Sequence, residues 1–161
     1  MKCALHSMAI ALLCCISAAH AAGGGGGGGG SGAESVAADP VIQTAQAAIA
    51  RKDWDAAQTT LLKALSGNPG NADYHNLYAY SLRKSAKPDM DLVFKHYAEA
   101  LRIDPGHRAA HEYVGEAYLV VNELAKAKEH LAALDKLCFF GCEEYSDLKK
   151  AIASYEASHP R

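Results

Sequence analysis

Two Ala-Leu pairs, each followed after a short polar stretch by a proline, recur 36 residues apart along the chain. The first copy is Ala64-Leu65 with Pro69, and the second is Ala100-Leu101 with Pro105. Because proline cannot continue the interior of a helix, each copy marks a helix end and fixes the direction of the next element. From position 39 onward, Ala, Leu, Tyr and charged residues recur at helical spacing, without strand-like alternation. The sequence therefore predicts an all-α fold built from repeats.

Three consecutive stretches combine small and large residues at helical spacing. They contain Asp53-Trp54-Asp55-Ala56-Ala57, Tyr78-Ala79-Tyr80-Ser81-Leu82 and Tyr113-Val114-Gly115-Glu116-Ala117-Tyr118-Leu119. This pattern resembles the tetratricopeptide repeat, a helix–turn–helix unit with a period of about 34 residues. The second copy has two extra residues around Lys87-Pro88-Asp89, which we place in the turn within that repeat. The resemblance implies an α-solenoid of three helix–turn–helix repeats.

The chain after the third repeat predicts one more helix. The segment Cys138-Phe139-Phe140-Gly141-Cys142 stands where the earlier repeats have a proline. After it, apolar residues fall on one helical face, namely Tyr145, Leu148, Ile152 and Tyr155. Since a repeat buries its apolar face only against its neighbours, we expect this helix to cap the array. Gly115 is predicted to lie where two helices nearly touch.

The first 21 residues have the features of a secretory signal peptide. Lys2 supplies a positive charge, Met8–Ile16 is an apolar run too short to span a bilayer, and Ala19-His20-Ala21 is a small-x-small cleavage site. We predict cleavage after Ala21 and no stable membrane insertion of the mature chain. The alternatives are a retained anchor and acylation at Cys14 or Cys15, neither of which follows the small residue that lipoprotein processing requires.

A glycine-rich run separates the predicted signal peptide from the repeats. Residues 22–37 contain Gly23–Gly30 and offer almost no side chains to bury, so they predict a flexible linker. The tetratricopeptide-repeat domain with its capping helix is then expected over residues 38–157. An exported chain of this kind is expected in the Gram-negative periplasm.

The charge of the chain argues against one class of partner. The formal net charge is −2, and loss of Lys2 with the signal peptide makes it −3. No cluster of Lys and Arg runs along any segment. We therefore expect neither nucleic acid nor an anionic membrane surface as the main partner.

Cleavage leaves Cys138 and Cys142 as the only cysteines of the mature chain. An even pair in an oxidising compartment predicts a disulfide, and Gly141 lets the chain bend between them. Two alternatives stay open. The cysteines and nearby His130 are the ligands of a periplasmic metal-handling protein, or the pair is a redox-active dithiol, which the spacing disfavours.

Other residue types that carry chemistry form no recognisable site. His107 and His111 lie four residues apart, but two ligands do not make a metal site. Glu143 and Glu144 are explained by the preference of a helix dipole for acidic residues in the first turn. The sequence has no phosphate-binding loop, zinc-protease motif or evident nucleophile–base set. We predict a non-enzymatic protein without a cofactor or a bound metal.

The resemblance implies that a protein or peptide partner binds the face lined by the first helix of each repeat. The repeat register places six residues there: Asn76, Tyr80, Arg83, Lys84, Glu112 and Glu116. Glu112 and Glu116 predict an acidic strip faced by the two basic residues. Tyr80 is the predicted anchor, since an aromatic side chain gives a large contact at little entropic cost. The alternative is that these residues form only a solvated helix surface.

One subgroup of the family holds the C-terminal carboxylate of a chaperone tail with a clamp of Lys, Asn and Arg side chains. Ile42, Gln46 and Asn76 occupy the corresponding positions here, so the basic residues of that clamp are missing. We therefore do not expect that ligand.

Overall fold

A computed structural model of the chain describes residues 39–160. This part of the chain forms seven helices and no strand: α1 Pro40–Ala50, α2 Trp54–Gly67, α3 Ala72–Lys84, α4 Met90–Ile103, α5 Arg108–Val120, α6 Leu124–Leu137 and α7 Glu143–Ser158. None of them has an apolar stretch of the length needed to cross a bilayer. The predicted signal peptide, its cleavage site and the linker lie outside the described residues.

The helices are arranged as three helical hairpins followed by a single helix. The pairs α1–α2, α3–α4 and α5–α6 form the repeats, and α7 packs on both α5 and α6. Every packed pair of helices in residues 39–160 is either adjacent in sequence or separated by one helix, as α1 and α3 are. Such nearest-neighbour packing is the arrangement of a repeat solenoid with a capping helix.

Short polar side chains define where most of the helices begin. The carboxylate or amide oxygen accepts a hydrogen bond from a first-turn N–H at four helix starts, at Asp39, Asp53, Asn71 and Asp89. These bonds satisfy donors that have no partner within the helix. Asp39 is followed by Pro40 at the first helical position, where the missing N–H costs nothing.

Two of the turns within repeats contain a left-handed residue. Lys52 has φ 58° and Asn122 has φ 62°, and each precedes the first helical turn of the second helix of its repeat. The N–H of the next residue returns to the first helix in both cases, from Asp53 to the Ala48 carbonyl and from Glu123 to that of Tyr118. The second repeat uses a longer connection over residues 85–89 instead, so its insertion lies in the turn, as predicted.

Small residues allow the helices to approach closely. Ala45, Ala57, Ala79 and Ala117 are fully buried in the solenoid. One such close approach is between α5 and α7, where a Cβ added to Gly115 would lie 2.6 Å from Cδ2 of Leu148. The prediction that helices nearly touch at Gly115 is thus confirmed, and the partner is the capping helix.

Candidate partner-binding groove

The first helices of the repeats and the capping helix, α1, α3, α5 and α7, lie side by side and form what we call the inner face. Asn76, Tyr80, Arg83 and Lys84 are on α3, while Glu112 and Glu116 are on α5. The six predicted binding residues therefore belong to two neighbouring helices, although they are not equally accessible.

Tyr80 lies at the centre of an aromatic and cationic cluster. Its ring centroid is 4.7 Å from that of Tyr113 on α5 and 6.3 Å from that of Trp54 on α2. The guanidinium carbon of Arg83 and the ammonium nitrogen of Lys84 each lie 5.5 Å from the ring centroid. Burial raises the pKa of the half-buried Tyr80 hydroxyl. The cluster presents a rigid aromatic surface with one exposed charge, that of Lys84.

Arg83 and Glu116 form an ion pair that joins α3 to α5. The guanidinium donates to the carboxylate at 2.7 Å, and the side chains are 6% and 28% exposed. The sequence placed these residues on opposite sides of a groove, whereas the structure brings them into direct contact. Because Arg83 is buried and already paired, it acts as a link between repeats rather than as a free basic group.

Asn76 and Glu112 are more buried than binding residues on an open surface would be. They lie 36 residues apart and therefore at equivalent positions of α3 and α5, where they are 2% and 9% exposed. The side-chain oxygen of Asn76 has no hydrogen-bond partner. Burial, followed by the neighbouring charges of Glu116, Asp147 and Glu144, raises the pKa of Glu112 to about 7.

Glu112 faces a hollow between α5 and α7 that we call the acidic recess. It has a volume of about 210 Å³ and is lined by Ala109, Glu112, Tyr113, Glu143, Glu144 and Asp147. Four of these six residues carry a carboxylate. Arg108 contacts one of them: its Nε lies 3.7 Å from an oxygen of Glu144, in a solvent-accessible pair.

Sequence reasoning missed Asp147 and assigned Glu143 and Glu144 only to the helix dipole. Both glutamates do lie in the first turn of α7, as predicted. The repeat spacing contains the signal that was missed. A step of 36 residues from α5 leads onto α7, so the capping helix takes the place of the first helix of a fourth repeat and brings its acidic residues beside Glu112.

Cys138 and Cys142 lie at disulfide-bonding distance, with an S–S separation of 2.06 Å and a Cα–Cα distance of 5.6 Å. Gly141 between them has φ 84°, a left-handed conformation that glycine adopts without strain. The Cys142 sulfur also accepts a hydrogen bond from the Tyr145 N–H at the start of α7. Bonded sulfur atoms are not thiolates and so do not serve as metal ligands.

The histidines expected beside a metal are engaged elsewhere. His107 caps α5 through Nδ1, and its Nε2 lies 3.1 Å from a carboxylate oxygen of Asp73. His111 turns instead toward His130, with 2.9 Å between their Nδ1 atoms, and its Nε2 lies 3.1 Å from the Pro105 carbonyl. Among residues 39–160, the metal-type cluster is Cys138, Cys142 and Glu144, and it does not include His130. The structure thus does not bring His130 together with the two cysteines.

The second repeat contains the same histidine arrangement. His75 and His96 have their Nδ1 atoms 2.8 Å apart, and Nε2 of His75 lies 2.9 Å from the Pro69 carbonyl. Since that carbonyl only accepts, His75 carries its proton on Nε2 and His96 donates from Nδ1. Burial lowers the pKa of His96, and likewise of His130, to about 4. These pairs join the two helices of the second and third repeats.

No protein-family model matches the chain. Over 89 residues the chain is 33% identical to the inactive TPR repeat-containing thioredoxin TTL3 of Arabidopsis thaliana. This match covers 55% of the chain and 12% of that protein, so the chain spans only a small part of its relative.

Solved structures with the same fold include two with peptides. The type III secretion chaperone SycD of Yersinia enterocolitica, in complex with a peptide of the translocator YopD, is 14% identical, with a TM-score of 0.60 and coverage of 73% of this chain and 88% of that one. The first TPR of Spaghetti (RPAP3), bound to the HSP90 peptide SRMEEVD, is 18% identical, with a TM-score of 0.60 and coverage of 73% and 93%. These likenesses and the seven-helix architecture confirm the predicted tetratricopeptide-repeat solenoid.

Proposed function

We propose that this protein is a non-enzymatic adaptor of the Gram-negative periplasm that holds a protein or peptide partner on its inner face. The observation that carries the proposal is the Tyr80 cluster, in which aromatic rings from three helices meet beside the exposed Lys84. Rigid aromatic side chains flanked by a cation are typical of the residues that dominate binding energy at interfaces. The two peptide complexes of the same fold support this class of function.

The missing basic clamp and the Arg83–Glu116 pair indicate how the partner differs from an acidic chaperone tail. The HSP90 peptide bound by Spaghetti, SRMEEVD, carries two glutamates and a C-terminal aspartate. Here the buried guanidinium on α3 is neutralised by Glu116, and α5 contributes a second carboxylate at Glu112. We therefore do not assign an acidic tail as the ligand of this groove.

The test is site-specific photo-crosslinking in the envelope, with a photoreactive residue at position 84 on the inner face or at position 63 on α2. The cross-linked protein is identified by mass spectrometry, purified and titrated calorimetrically against the mature chain. Tyr80→Ala and Lys84→Glu are expected to weaken binding about tenfold, the effect of losing one strong contact. Lys63→Glu is the matched control, since it reverses an exposed lysine on an outer helix.

The outcome that contradicts the proposal is binding that survives both inner-face substitutions but is lost with Lys63→Glu. The proposed location is tested separately by the intact mass of the exported protein. Cleavage after Ala21 gives a chain beginning at Ala22, whereas a retained Met1 or an acylated Cys14 or Cys15 contradicts it.

A further inference from the structure

The acidic recess has more negative charge than its surroundings balance. Of its four carboxylates, Glu144 has a solvent-accessible contact with Arg108. Arg83, the other cation near Glu112, is engaged by Glu116 at 2.7 Å. The first-turn residues Glu143 and Glu144 gain from the dipole of α7, but that effect fades beyond the first turn. Glu112 and Asp147, each the fifth residue of its helix, are therefore not explained by helix capping.

Glu112 gives an independent indication that the recess binds something. Glu112 is 9% exposed and lines the recess, and its carboxylate has no hydrogen bond or ion pair within residues 39–160. Burial of a carboxylate without a partner is costly, so natural proteins rarely retain one without a use. The pKa of this group is raised by its burial and by the neighbouring carboxylates of Glu116, Asp147 and Glu144. A cation placed in the recess would remove the cost.

The shape of the carboxylate set distinguishes between kinds of cation. A divalent metal requires several ligand atoms close together around one point. In the described part of the chain, the oxygens of Glu112, Glu143 and Asp147 belong to no cluster of ligand atoms within 4.8 Å of one another. A set spread along two helices fits instead an elongated cation that contacts several carboxylates in turn, such as a guanidinium group with its fork of donors.

The recess is also continuous with the Tyr80 cluster. Tyr113 lines the recess, and its ring lies 4.7 Å from that of Tyr80. A chain lying on the aromatic cluster can therefore direct a neighbouring side chain into the recess, and the face of Tyr113 offers that cation a further attractive contact.

We infer that the acidic recess between α5 and α7 receives an arginine side chain of the protein partner. The inference rests on the proposed function, because it names the chemistry of the partner that the inner face holds. It assigns Glu112 and Asp147 as the residues that select the positive charge, with Glu112 at the closed end.

The test is an NMR titration of the ¹⁵N-labelled mature chain with the blocked tripeptide Ala-Arg-Ala. The control ligand is the same peptide with citrulline, which has the shape of arginine without its charge. We expect saturable shifts of amide signals at 109–113 and 143–147 with the arginine peptide at millimolar concentrations, and at least fivefold weaker binding of the citrulline peptide. Glu112→Gln and Asp147→Asn should each raise the dissociation constant at least threefold. Glu129→Gln, which removes an exposed carboxylate of α6, should leave it unchanged.

The inference is overturned if the arginine and citrulline peptides bind alike, if the shifts lie elsewhere, or if both recess variants bind like the parent. Asp147 is exposed, so Asp147→Asn provides a folded variant even if Glu112→Gln is impaired. The two proposals fail separately. If binding of a partner depends on Tyr80 but the arginine peptide does not bind the recess, the adaptor proposal is supported and the recess inference is rejected. If the arginine peptide binds the recess but no partner depends on Tyr80, the recess remains a cation site and the adaptor proposal is rejected.

Discussion

Replacing Glu112 with glutamine is expected to stabilise the protein increasingly as the pH rises above 4.5. The folded state raises the pKa of this carboxyl from its ordinary value of 4.5 to about 7. The folded protein therefore holds the proton more tightly than the unfolded chain, and stability is lost as the pH rises from 4.5 through 7. Glutamine keeps the size and polarity of the protonated side chain but never becomes charged, so the variant escapes this loss.

The size of the effect follows from the pKa. A rise of this extent corresponds to an upper limit of about 3 kcal/mol, since one pKa unit is about 1.4 kcal/mol. Because the recess is open to water, which screens the charge, we expect about 1–2 kcal/mol at pH 8. In a domain of this size that gain raises the melting temperature by about 4–8 °C.

The assay is urea unfolding of parent and variant, followed by circular dichroism at pH 4.5 and pH 8. The free-energy difference should be a few tenths of a kcal/mol at the lower pH and reach its full value at the higher one. Glu129→Gln is the control and should show no such change, since that side chain is exposed. A variant that is no more stable than the parent at pH 8 would show that Glu112 is not a desolvated, unpaired carboxylate, and the reasoning would be refuted.

Three other substitutions or conditions test the packing. The pKa values of His96 and His130 are lowered to about 4, so below about pH 6.5 the unfolded chain binds more protons than the folded protein. The stabilising contribution of these two groups is therefore complete above about pH 6.5 and falls toward pH 4. In thermal unfolding, the melting temperature of His96→Gln should fall less steeply than that of the parent over this range. Gly115→Ala should cost about 1 kcal/mol in urea unfolding, because overpacking against Leu148 exceeds the gain in helix propensity, and Leu148→Val in the same chain should recover part of it. Cys142→Ser retains a side chain able to cap α7 but removes the crosslink, so it should lower stability by about 2 kcal/mol and make unfolding insensitive to reductant.

The helices could be predicted from the sequence because their signals are local. Pro69 and Pro105 mark helix boundaries at the repeat spacing. The resemblance to the tetratricopeptide repeat predicted which helices pair. The site was less predictable, since it depends on helix rotation. A shift of one position along α3 decides whether Arg83 faces solvent or Glu116, and the periodicity of the sequence does not define rotation that finely. The burial of Glu112 was also missed. It depends on where α7 packs, and only the 36-residue step, not a recognisable fourth copy of the repeat, indicates that position.

The packing of each helix only against its near neighbours has a consequence for how the protein folds. Within residues 39–160, no contact between helices requires the chain to close a loop longer than about one repeat, so little conformational entropy is lost before contacts form. Folding should accordingly be fast for a chain of this length and able to begin in any one hairpin. The order of events should then follow local stability, spreading outward from the interior hairpin α3–α4, which packs against neighbours on both sides, toward the terminal helices α1 and α7.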